Sequence, residues 1–514
     1  MVFKLHHRHW TGIQNLVLVS VSAVVLSVSS ASAEDSHLRE ARTFYQNGQY
    51  FSAARYAFAG QDEGQPEAYS WITLGLAKAG LYNSASYFFI KTLQTGNKPA
   101  IRRVLTLTQE LLSRVGVDVL RNFLVRHTTY EDYDGLNRSA FLFSLGKAAL
   151  LNGQETQAIG YLNAVVPESL LYPYALQLRA SAFAILGKDA DAIRDFRACS
   201  KKAAGDESDF GDVSRDLKSR CFAGEARTLY QSDQFAEADK AYDRIPKGSF
   251  VWPDILFEQA WNSFGRREYN RSLGKLVSYK SPALSFVFNS EVDVLRAQSY
   301  LALCLYDDSN QVINEFNGKY AKIGEEVKVL VEKNSSNLPG FYQLGKEALA
   351  APLHSRRDLY RMMNRFIRGP YFPSLVSAER TVATEHQAIK HFAAMSGGNA
   401  GQGFPAFLDQ VLAWRTHSIQ QLGGAFVKNS LMDYHSILIS DFEKMAFIKL
   451  EMLGRAKNRL LQSHAVVASD DRSRGNVEPS RRDDQQFWSF NGEFWNDELG
   501  DYVFGLESVC TAKD

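Results

Sequence analysis

A recurring helical-hairpin pattern constrains the fold of this chain more than any other feature. Seven segments between Ser36 and Phe316 share one layout: a small residue in a first helix, a turn, an aromatic or similar residue, and a small residue early in a second helix. The small residues of the second helices are Ala53, Ala85, Ala158, Ala192, Ala238, Ser272 and Ser309. Small side chains are needed where two helices cross closely. Because a single hairpin cannot bury its apolar face alone, the pattern predicts a stack of hairpins.

The spacing of these small residues indicates the repeat type. Successive positions are 32, 73, 34, 46, 34 and 37 residues apart. A period near 34 resembles that of tetratricopeptide repeat (TPR) proteins, and a degenerate copy at residues 116–124 would fill the gap of 73. The resemblance implies an all-α, TPR-like α-solenoid, and the alternative is an irregular all-helical domain. Such scaffolds bind partners more often than they catalyse reactions.

Length and charge narrow the choice of partner. A chain of 514 residues is too long for one compact core, so two or more units are expected. Its 45% hydrophobic and 22% charged residues are typical of a soluble globular protein. The net charge of +1 gives no global reason to bind nucleic acid, whose binders usually carry a basic stripe. We therefore expect protein partners and no nucleic acid.

The first 33 residues have the features of a secretory signal peptide. Lys4 and Arg8 precede a 13-residue apolar run at 16–28, which is too short to span a bilayer comfortably. The sequence A-S-A at 31–33 then supplies the small-x-small pattern of a signal-peptidase site. We expect cleavage before Glu34 and a periplasmic mature chain without a transmembrane span. The alternative is an uncleaved N-terminal anchor.

The repeat signal fades after Phe316, and the composition changes twice more. We divide the chain into a signal peptide (1–33), TPR-like repeats (36–318), a C-terminal helical domain (319–464), a disordered linker (465–485) and an aromatic tail (486–514). The linker has almost no large apolar residues, so it cannot bury a core. The tail is dense in aromatic residues and should therefore dock on its own chain or on a partner.

Residues 404–464 keep a helical period that predicts a long helical stretch. Gly423 and Gly424 are candidates to break it into two helices. Its apolar stripe, which includes Ile439, Leu450 and Leu453, would close a bundle within the chain or form a coiled coil with a partner. The glycine-rich stretch at 396–403 predicts a flexible loop before it.

The chain contains four cysteines, and an exported chain meets oxidising conditions. Cys199 and Cys221 fall in neighbouring helices of adjacent repeats, so they are the candidate disulfide. The alternative is a pair of buried free thiols at small-residue positions. Cys510 lies just behind the aromatic tail, where it could tether the tail or stay free.

The sequence offers no catalytic, cofactor or metal site. Lytic transglycosylases also combine a helical superhelix with a C-terminal helical domain, but they need a catalytic Glu followed by Ser, and no Glu in residues 320–464 is followed by Ser. His386 and His391 are five positions apart, whereas a helical ligand pair needs a spacing of four. No Lys-Ser or Lys-Thr follows the glycine-rich stretch to hold a nucleotide. We therefore expect a protein that is not an enzyme and has no cofactor.

The first helices of a TPR array line a concave groove, so their exposed positions are candidate partner contacts. When Gly146, Ala180, Ala226 and Ala260 are taken as equivalent, six residues fall on this face: Lys147, Gln177, Arg227, Tyr230, Phe257 and Trp261. Arg, Tyr and Trp are residue types that anchor interfaces. The alternative, that these side chains only pack the superhelix, applies most to Phe257 and Trp261. A partner peptide or helix would lie in the groove.

Two short segments carry a more specific resemblance. Residues 252–261 (WPDILFEQAW) lie in the array, and residues 494–500 (FWNDELG) precede Cys510. Together with the signal peptide they resemble envelope TPR proteins of gliding and predatory deltaproteobacteria. The resemblance implies a periplasmic scaffold for protein–protein interactions in a cell-envelope complex, in its narrower form a part of the gliding-motility machinery. The alternatives are a peptidoglycan-active enzyme of the lytic transglycosylase type or its regulator, and an outer-membrane or cell-wall assembly factor.

Overall fold

The computed structural model describes residues 31–61, 66–203, 216–395, 401–462 and 492–510, with the single residues 477 and 481. The predicted signal peptide lies outside the described residues except for 31–33, which begin the first helix. The predicted linker also lies outside them except for Val477 and Arg481. Within the described ranges the secondary structure is helical and contains no strand, which confirms the all-α class.

Seven helical hairpins form the body of the described chain. They are α1 and α2 (Ala31–Gln46, Tyr50–Ala59), α3 and α4 (Pro66–Lys78, Tyr82–Gln94), α8 and α9 (Leu136–Leu151, Glu155–Asn163), α10 and α11 (Tyr172–Ile185, Asp189–Lys202), α12 and α13 (Leu217–Gln231, Phe235–Tyr242), α14 and α15 (Trp252–Gly265, Tyr269–Val277), and α16 and α17 (Glu291–Ala302, Tyr306–Lys333). Between the second and third hairpins lie α5 (Lys98–Leu105), α6 (Thr108–Val115) and α7 (Val117–His127). These three short helices occupy the gap of 73 residues, and Gly116 makes the turn between α6 and α7.

The same two positions build every hairpin. The predicted small residue is the fourth residue of the second helix in all seven, and each of the seven is 0% exposed. Five residues earlier the turn always has a positive φ, at Gly48, Gly80, Gly153, Gly187, Asp233, Arg267 and Cys304. Glycine adopts this conformation without steric cost. The last three hairpins therefore keep the turn geometry although they lack the glycine.

Four further helices follow the hairpins: α18 (Leu338–Ala350), α19 (Asp358–Ile367), α20 (Tyr371–Met395) and α21 (Phe404–Gln462). The boundary drawn at 318/319 lies inside α17, so the array and the C-terminal helices share one continuous helix. Within the described residues, no helix is both long enough and apolar enough to cross a membrane.

Helix α21 is continuous over 59 residues, so the expected break at Gly423 and Gly424 is wrong. A Cβ on Gly423 would come within 2.4 Å of Tyr342, and one on Gly424 within 1.8 Å of the Leu338 carbonyl oxygen. The two glycines therefore let α18 approach α21 closely. Packing against α18 offsets the low helix propensity of glycine at these positions.

The C-terminal helices close the array by contacting both of its ends. Near the first hairpins, Phe51 stacks on Phe392 of α20 with 5.0 Å between ring centroids, and Phe404 of α21 packs on Phe58 at 4.9 Å. At the last hairpin, Phe316 packs edge-on against Phe442 at 4.8 Å. One hydrophobic core consequently joins the N-terminal hairpins to α16–α21. The array is closed by the chain's own long helix.

The described part of the C-terminal tail lies on its own chain, across α14 and α15. Leu499 is 5% exposed and packs in the cluster that contains Trp252 and Leu256. The side chain of Asn270 donates to the carbonyl of Leu506 at 2.9 Å and accepts from its N–H at 3.0 Å. Tail residues 486–491 and 511–514 lie outside the described residues. The described part of the tail therefore docks on its own chain, which is one of the two alternatives that the sequence left open.

The structure forms two disulfides. Cys199 and Cys221 are joined with their Cα atoms 6.0 Å apart, as the sequence suggested they could be. Cys304 is joined to Cys510, and this bridge fastens the tail to the turn between α16 and α17. Cys304 is the positive-φ residue of that turn, so it serves both the hairpin and the tether.

Candidate partner-binding groove

The first helices of four consecutive hairpins, α8, α10, α12 and α14, carry the six residues proposed from the sequence. Lys147 is half-buried, and its Nζ lies 2.9 Å from Asp118 of α7. Gln177 is half-buried on α10. The cation of Lys147 is thus held by a neighbouring helix while part of its side chain faces solvent.

Arg227 links two adjacent hairpins across the face of the array. Its guanidinium makes two hydrogen bonds to Glu258 of α14, at 2.6 and 2.9 Å, and the Tyr242 hydroxyl donates to the same carboxylate at 3.1 Å. Glu258 raises the pKa of Arg227 by direct charge attraction. Because 57% of the Arg227 side chain is exposed, this fork-shaped pair is accessible from solvent.

A second ion pair lies one turn away on α14 and connects the array to the C-terminal helices. Asp254 is 3.2 Å from Arg365 of α19, and the Arg365 guanidinium lies 5.5 Å from the ring centroid of Tyr434 on α21. Burial raises the pKa of Asp254, and Arg365 opposes this shift. The face of α14 therefore presents two carboxylates, each held by an arginine from a different helix.

The three aromatic candidates are mainly packing residues. Phe257 is 5% exposed, and Trp261 packs edge-on against it with 6.4 Å between ring centroids. Tyr230 is half-buried and packs edge-on against Phe235 at 5.5 Å. Among the six candidates, only Phe257 and Trp261 make ring contact with each other. Phe257 therefore packs within the superhelix and does not present its ring to solvent.

Sequence reasoning missed an apolar part of the same face. Leu151 and Ile185 end the first helices of adjacent hairpins and are 52% and 49% exposed. Each lies one helical turn after the groove position defined by Lys147, and the two are one period of 34 residues apart. This shared position in the two repeats could have identified the apolar part of the face from the sequence. Asp254 and Glu258 could also have been identified from the sequence, because they lie at i and i+4 on the helix that carries Trp261.

The arrangement supplies charged and apolar recognition groups on the first helices. In the part of the chain that the structure describes, no three His, Cys, Asp or Glu side chains converge to hold a metal ion. His386 is instead placed 2.9 Å from Asp409 of α21. Glu385 is buried against α4 and accepts hydrogen bonds from its first turn. These groups have structural partners within the chain.

Comparisons with known proteins bear on the fold alone. No protein-family model matches the chain, and no curated protein sequence matches it. Among similar solved structures are the apo form of RapI (10% identity, TM-score 0.32, 76% of this chain and 98% of that one) and the TPR domain of P58(IPK) (14%, 0.19, 74% and 99%). Another is the Rap conjugation gene regulator of the plasmid pLS20 in complex with the Phr* peptide (10%, 0.27, 67% and 96%).

These TM-scores are all below 0.5, so the fold assignment depends on the hairpins themselves. The seven hairpins have a common turn conformation and a common buried small residue in each second helix. The chain is an all-α protein whose hairpins form a TPR-like array.

Proposed function

We propose that this chain is a non-enzymatic scaffold that binds a segment of a partner protein along the first helices α8, α10, α12 and α14. The observation that carries the proposal is the placement of polar and apolar groups together on the first helices of consecutive hairpins. The accessible Arg227–Glu258 pair lies on α12 and α14, and the exposed side chains of Leu151 and Ile185 lie on α8 and α10. An apolar anchor beside accessible donors and acceptors is the combination that a bound peptide or helix uses.

The charges on this face suit a segment that itself carries both signs. Arg227 and Glu258 satisfy each other in the free chain, and exposed pairs of this kind contribute little to stability. A partner carboxylate can replace Glu258 on the guanidinium at small cost to the fold. Binding would therefore exchange one charge-assisted pair for another while burying Leu151 and Ile185.

The proposed compartment is the periplasm, with partners in the cell envelope. It is supported by the apolar run before the A-S-A sequence at 31–33 and by the two disulfides, since disulfides persist in oxidising compartments. The narrower role in gliding motility depends on the resemblance of residues 252–261 and 494–500 alone.

Site-specific photo-crosslinking in intact cells tests the groove. A photoreactive residue at Ile185 should capture a defined set of proteins, whereas the same residue at Lys240 on α13, a second helix, should not. Arg227→Ala should reduce the Ile185 adducts several-fold, and Lys240→Ala is its matched control because both cations are exposed and ion-paired. Equal adducts at the two positions would remove the groove as the binding site.

Two further measurements test the compartment and the enzymatic alternative. Residues 1–33 fused to a reporter that is active only outside the cytoplasm should give activity, and loss of the 16–28 apolar run should abolish it. The purified protein should leave a peptidoglycan zymogram intact, and clearing would contradict the scaffold proposal.

A further inference from the structure

The last part of α21 carries apolar side chains that the described chain leaves uncovered. Five large residues on one face are exposed, with exposed fractions of 46% for Met432, 48% for Ile439, 71% for Phe447, 65% for Leu450 and 52% for Leu453. Their spacings of 7, 8, 3 and 3 keep them within one stripe of the helix. We call this set the α21 stripe. A row of this length is more than scattered surface apolarity.

The stripe is distinct from the face that α21 uses within the chain. Leu438, Met445, Ile448 and Met452 are at most 7% exposed and belong to the core shared with α16 and α17. The helix is therefore apolar on two faces, and the intramolecular contacts account for one of them. A helix with a second apolar face is the usual arrangement for pairing with another helix.

Gly454 within this segment is not required for packing against any other residue that the structure describes. A Cβ built there meets nothing within 4 Å, whereas Cβ atoms at Gly423 and Gly424 would collide with α18. Glycine in a helix interior is unfavourable relative to alanine. A glycine with no neighbour among the described residues is explained by close approach of a helix from outside, since small residues permit such contact.

The charges along the stripe indicate which helix approaches. Glu443 lies seven residues before Leu450, and Lys457 lies seven residues after it. Both are exposed, and neither makes an ion pair among the described residues. In an antiparallel pair of identical helices centred on Leu450, Glu443 of each copy faces Lys457 of the other. In a parallel pair, Glu443 would face Glu443.

The small residues follow the same symmetry. Ala446 lies four residues before Leu450, and Gly454 lies four residues after it. An antiparallel pair therefore places Ala446 against Gly454 on both sides of the centre, where the backbones come closest. Phe447 and Leu453, each three residues from the centre, face one another. Charge, size and the apolar residues Phe447, Leu450 and Leu453 thus agree on one arrangement, in which Met432 and Ile439 lie outside the overlap of the two stripes.

We propose that two copies of this chain associate through their α21 stripes, antiparallel, with Leu450 next to the twofold axis. The contact is isologous, so each complementary pair occurs twice. The inference does not depend on the proposed function of the groove, which lies on other helices. If both hold, the dimer presents two grooves and can bridge two partners.

Sedimentation equilibrium of the purified full-length protein tests the association. A monomer–dimer equilibrium is expected, and Leu450→Asp should raise the dimer Kd at least about 30-fold, as loss of a central interface anchor does. Circular dichroism of the same variant shows whether the helices are retained. A protein that stays monomeric at all concentrations, or a dimer that tolerates Leu450→Asp, would overturn the proposal.

Charge reversal tests the antiparallel register. Glu443→Lys alone should weaken the dimer about tenfold or more because it opposes two cations. Adding Lys457→Glu to the same chain should restore it, and Glu326→Lys on α17 is the control at an exposed glutamate away from the stripe. Failure of the double variant to recover would exclude this register.

Cysteine crosslinking distinguishes the other occupants of the stripe. A mixture of Glu443→Cys and Lys457→Cys proteins should form a mixed disulfide dimer, whereas a parallel pair would give Glu443→Cys homodimers. Photo-crosslinking of the monomeric fraction completes the test. A photoreactive residue at Phe447 that crosslinks to residues 463–491 of the same chain would assign the stripe to that segment and overturn the dimer.

Discussion

Glu385 of α20 accepts a hydrogen bond from the backbone N–H of Asn83 at 2.6 Å, although 302 residues separate them. Its second oxygen accepts from the N–H of Ser84 at 3.1 Å. Helix α4 begins at Tyr82, so both donors lie in the first turn, where backbone N–H groups have no partner within the helix. A carboxylate from the C-terminal helices thus caps a helix of the second hairpin.

Replacing Glu385 by alanine should destabilise the whole protein. The change leaves two buried N–H groups without acceptors and removes the neighbouring negative charge from Arg415, which is 5% exposed. Breaking a buried charge contact of this type costs about 3 kcal/mol or more. Denaturant unfolding measures the loss. Thr384→Ala at the adjacent exposed position is the control and should change the free energy by less than about 0.5 kcal/mol.

The same carboxylate should make stability depend on pH. Burial raises the pKa of Glu385 above its usual range, although hydrogen bonds from Asn83 and Ser84 oppose the shift. The folded state therefore binds the proton more tightly than the unfolded state, and the stabilisation present at low pH is lost as pH rises through the folded pKa.

Comparison of the wild type with Glu385→Gln isolates this effect. The free energy of unfolding of the wild type should fall relative to that of the variant as pH rises above about 4.3, the pKa of a solvent-exposed glutamate in an unfolded chain. A difference that is independent of pH, or one of opposite sign, would show that burial does not govern this carboxyl.

A single methyl group should dislodge the tail without harming the array. A Cβ on Gly274 of α15 would lie 1.8 Å from the carbonyl oxygen of Tyr502. Gly274→Ala should therefore release the tail around Tyr502 from the helix surface, while the Cys304–Cys510 bridge keeps its end attached and the alanine favours the helix itself. Hydrogen exchange at the amide of Phe504, which donates to Asn270 at 3.1 Å, should accelerate.

Gly160→Ala in α9 is the matched control for this experiment, because a Cβ there meets nothing within 4 Å. It should leave exchange in the tail unchanged. Unaltered protection of Phe504 in the Gly274 variant would mean that the tail does not depend on this close approach.

Two glycines of α21 should respond to alanine in opposite ways. Gly424→Ala forces a Cβ to within 1.8 Å of the Leu338 carbonyl oxygen and should destabilise the protein by about 1–3 kcal/mol through strain. Gly454→Ala meets no neighbour and should stabilise a single chain by about 0.5–1 kcal/mol. Thermal unfolding of the two variants at low protein concentration measures both. Equal effects would contradict the packing described for α18 and α21.

The hairpins were predictable because local spacing encodes their crossings. Gly146 and Leu162 illustrate this: a Cβ on Gly146 would come within 2.5 Å of Leu162 Cγ, so the first helix needs a small residue there. The residues that meet are close in sequence and recur with the period. This pattern is therefore enough to indicate the repeat class and the helix pairs.

Contacts between segments that are far apart in the sequence leave no periodic pattern from which they could be predicted. The pairing of Asp254 with Arg365 and of Cys304 with Cys510 joins positions 111 and 206 residues apart, and neither shows in local periodicity. Cys304 also occupies a turn position that the sequence marks with glycine elsewhere. The groove candidates were placed on helices correctly, but whether Phe257 faced solvent depended on the packing of neighbouring helices.

An ordinary open solenoid behaves as a spring, since each repeat touches only its neighbours and can stretch or melt without them. Here α21, about 88 Å long at 1.5 Å per residue, packs on α2 and α4 at one end of the coil and on α16 and α17 at the other. Tension on the array must break these contacts of α21 before any hairpin can separate from its neighbours. Under a pulling force the molecule should therefore resist as one unit and unfold in a single step, without the stepwise increase in chain extension that an open solenoid gives.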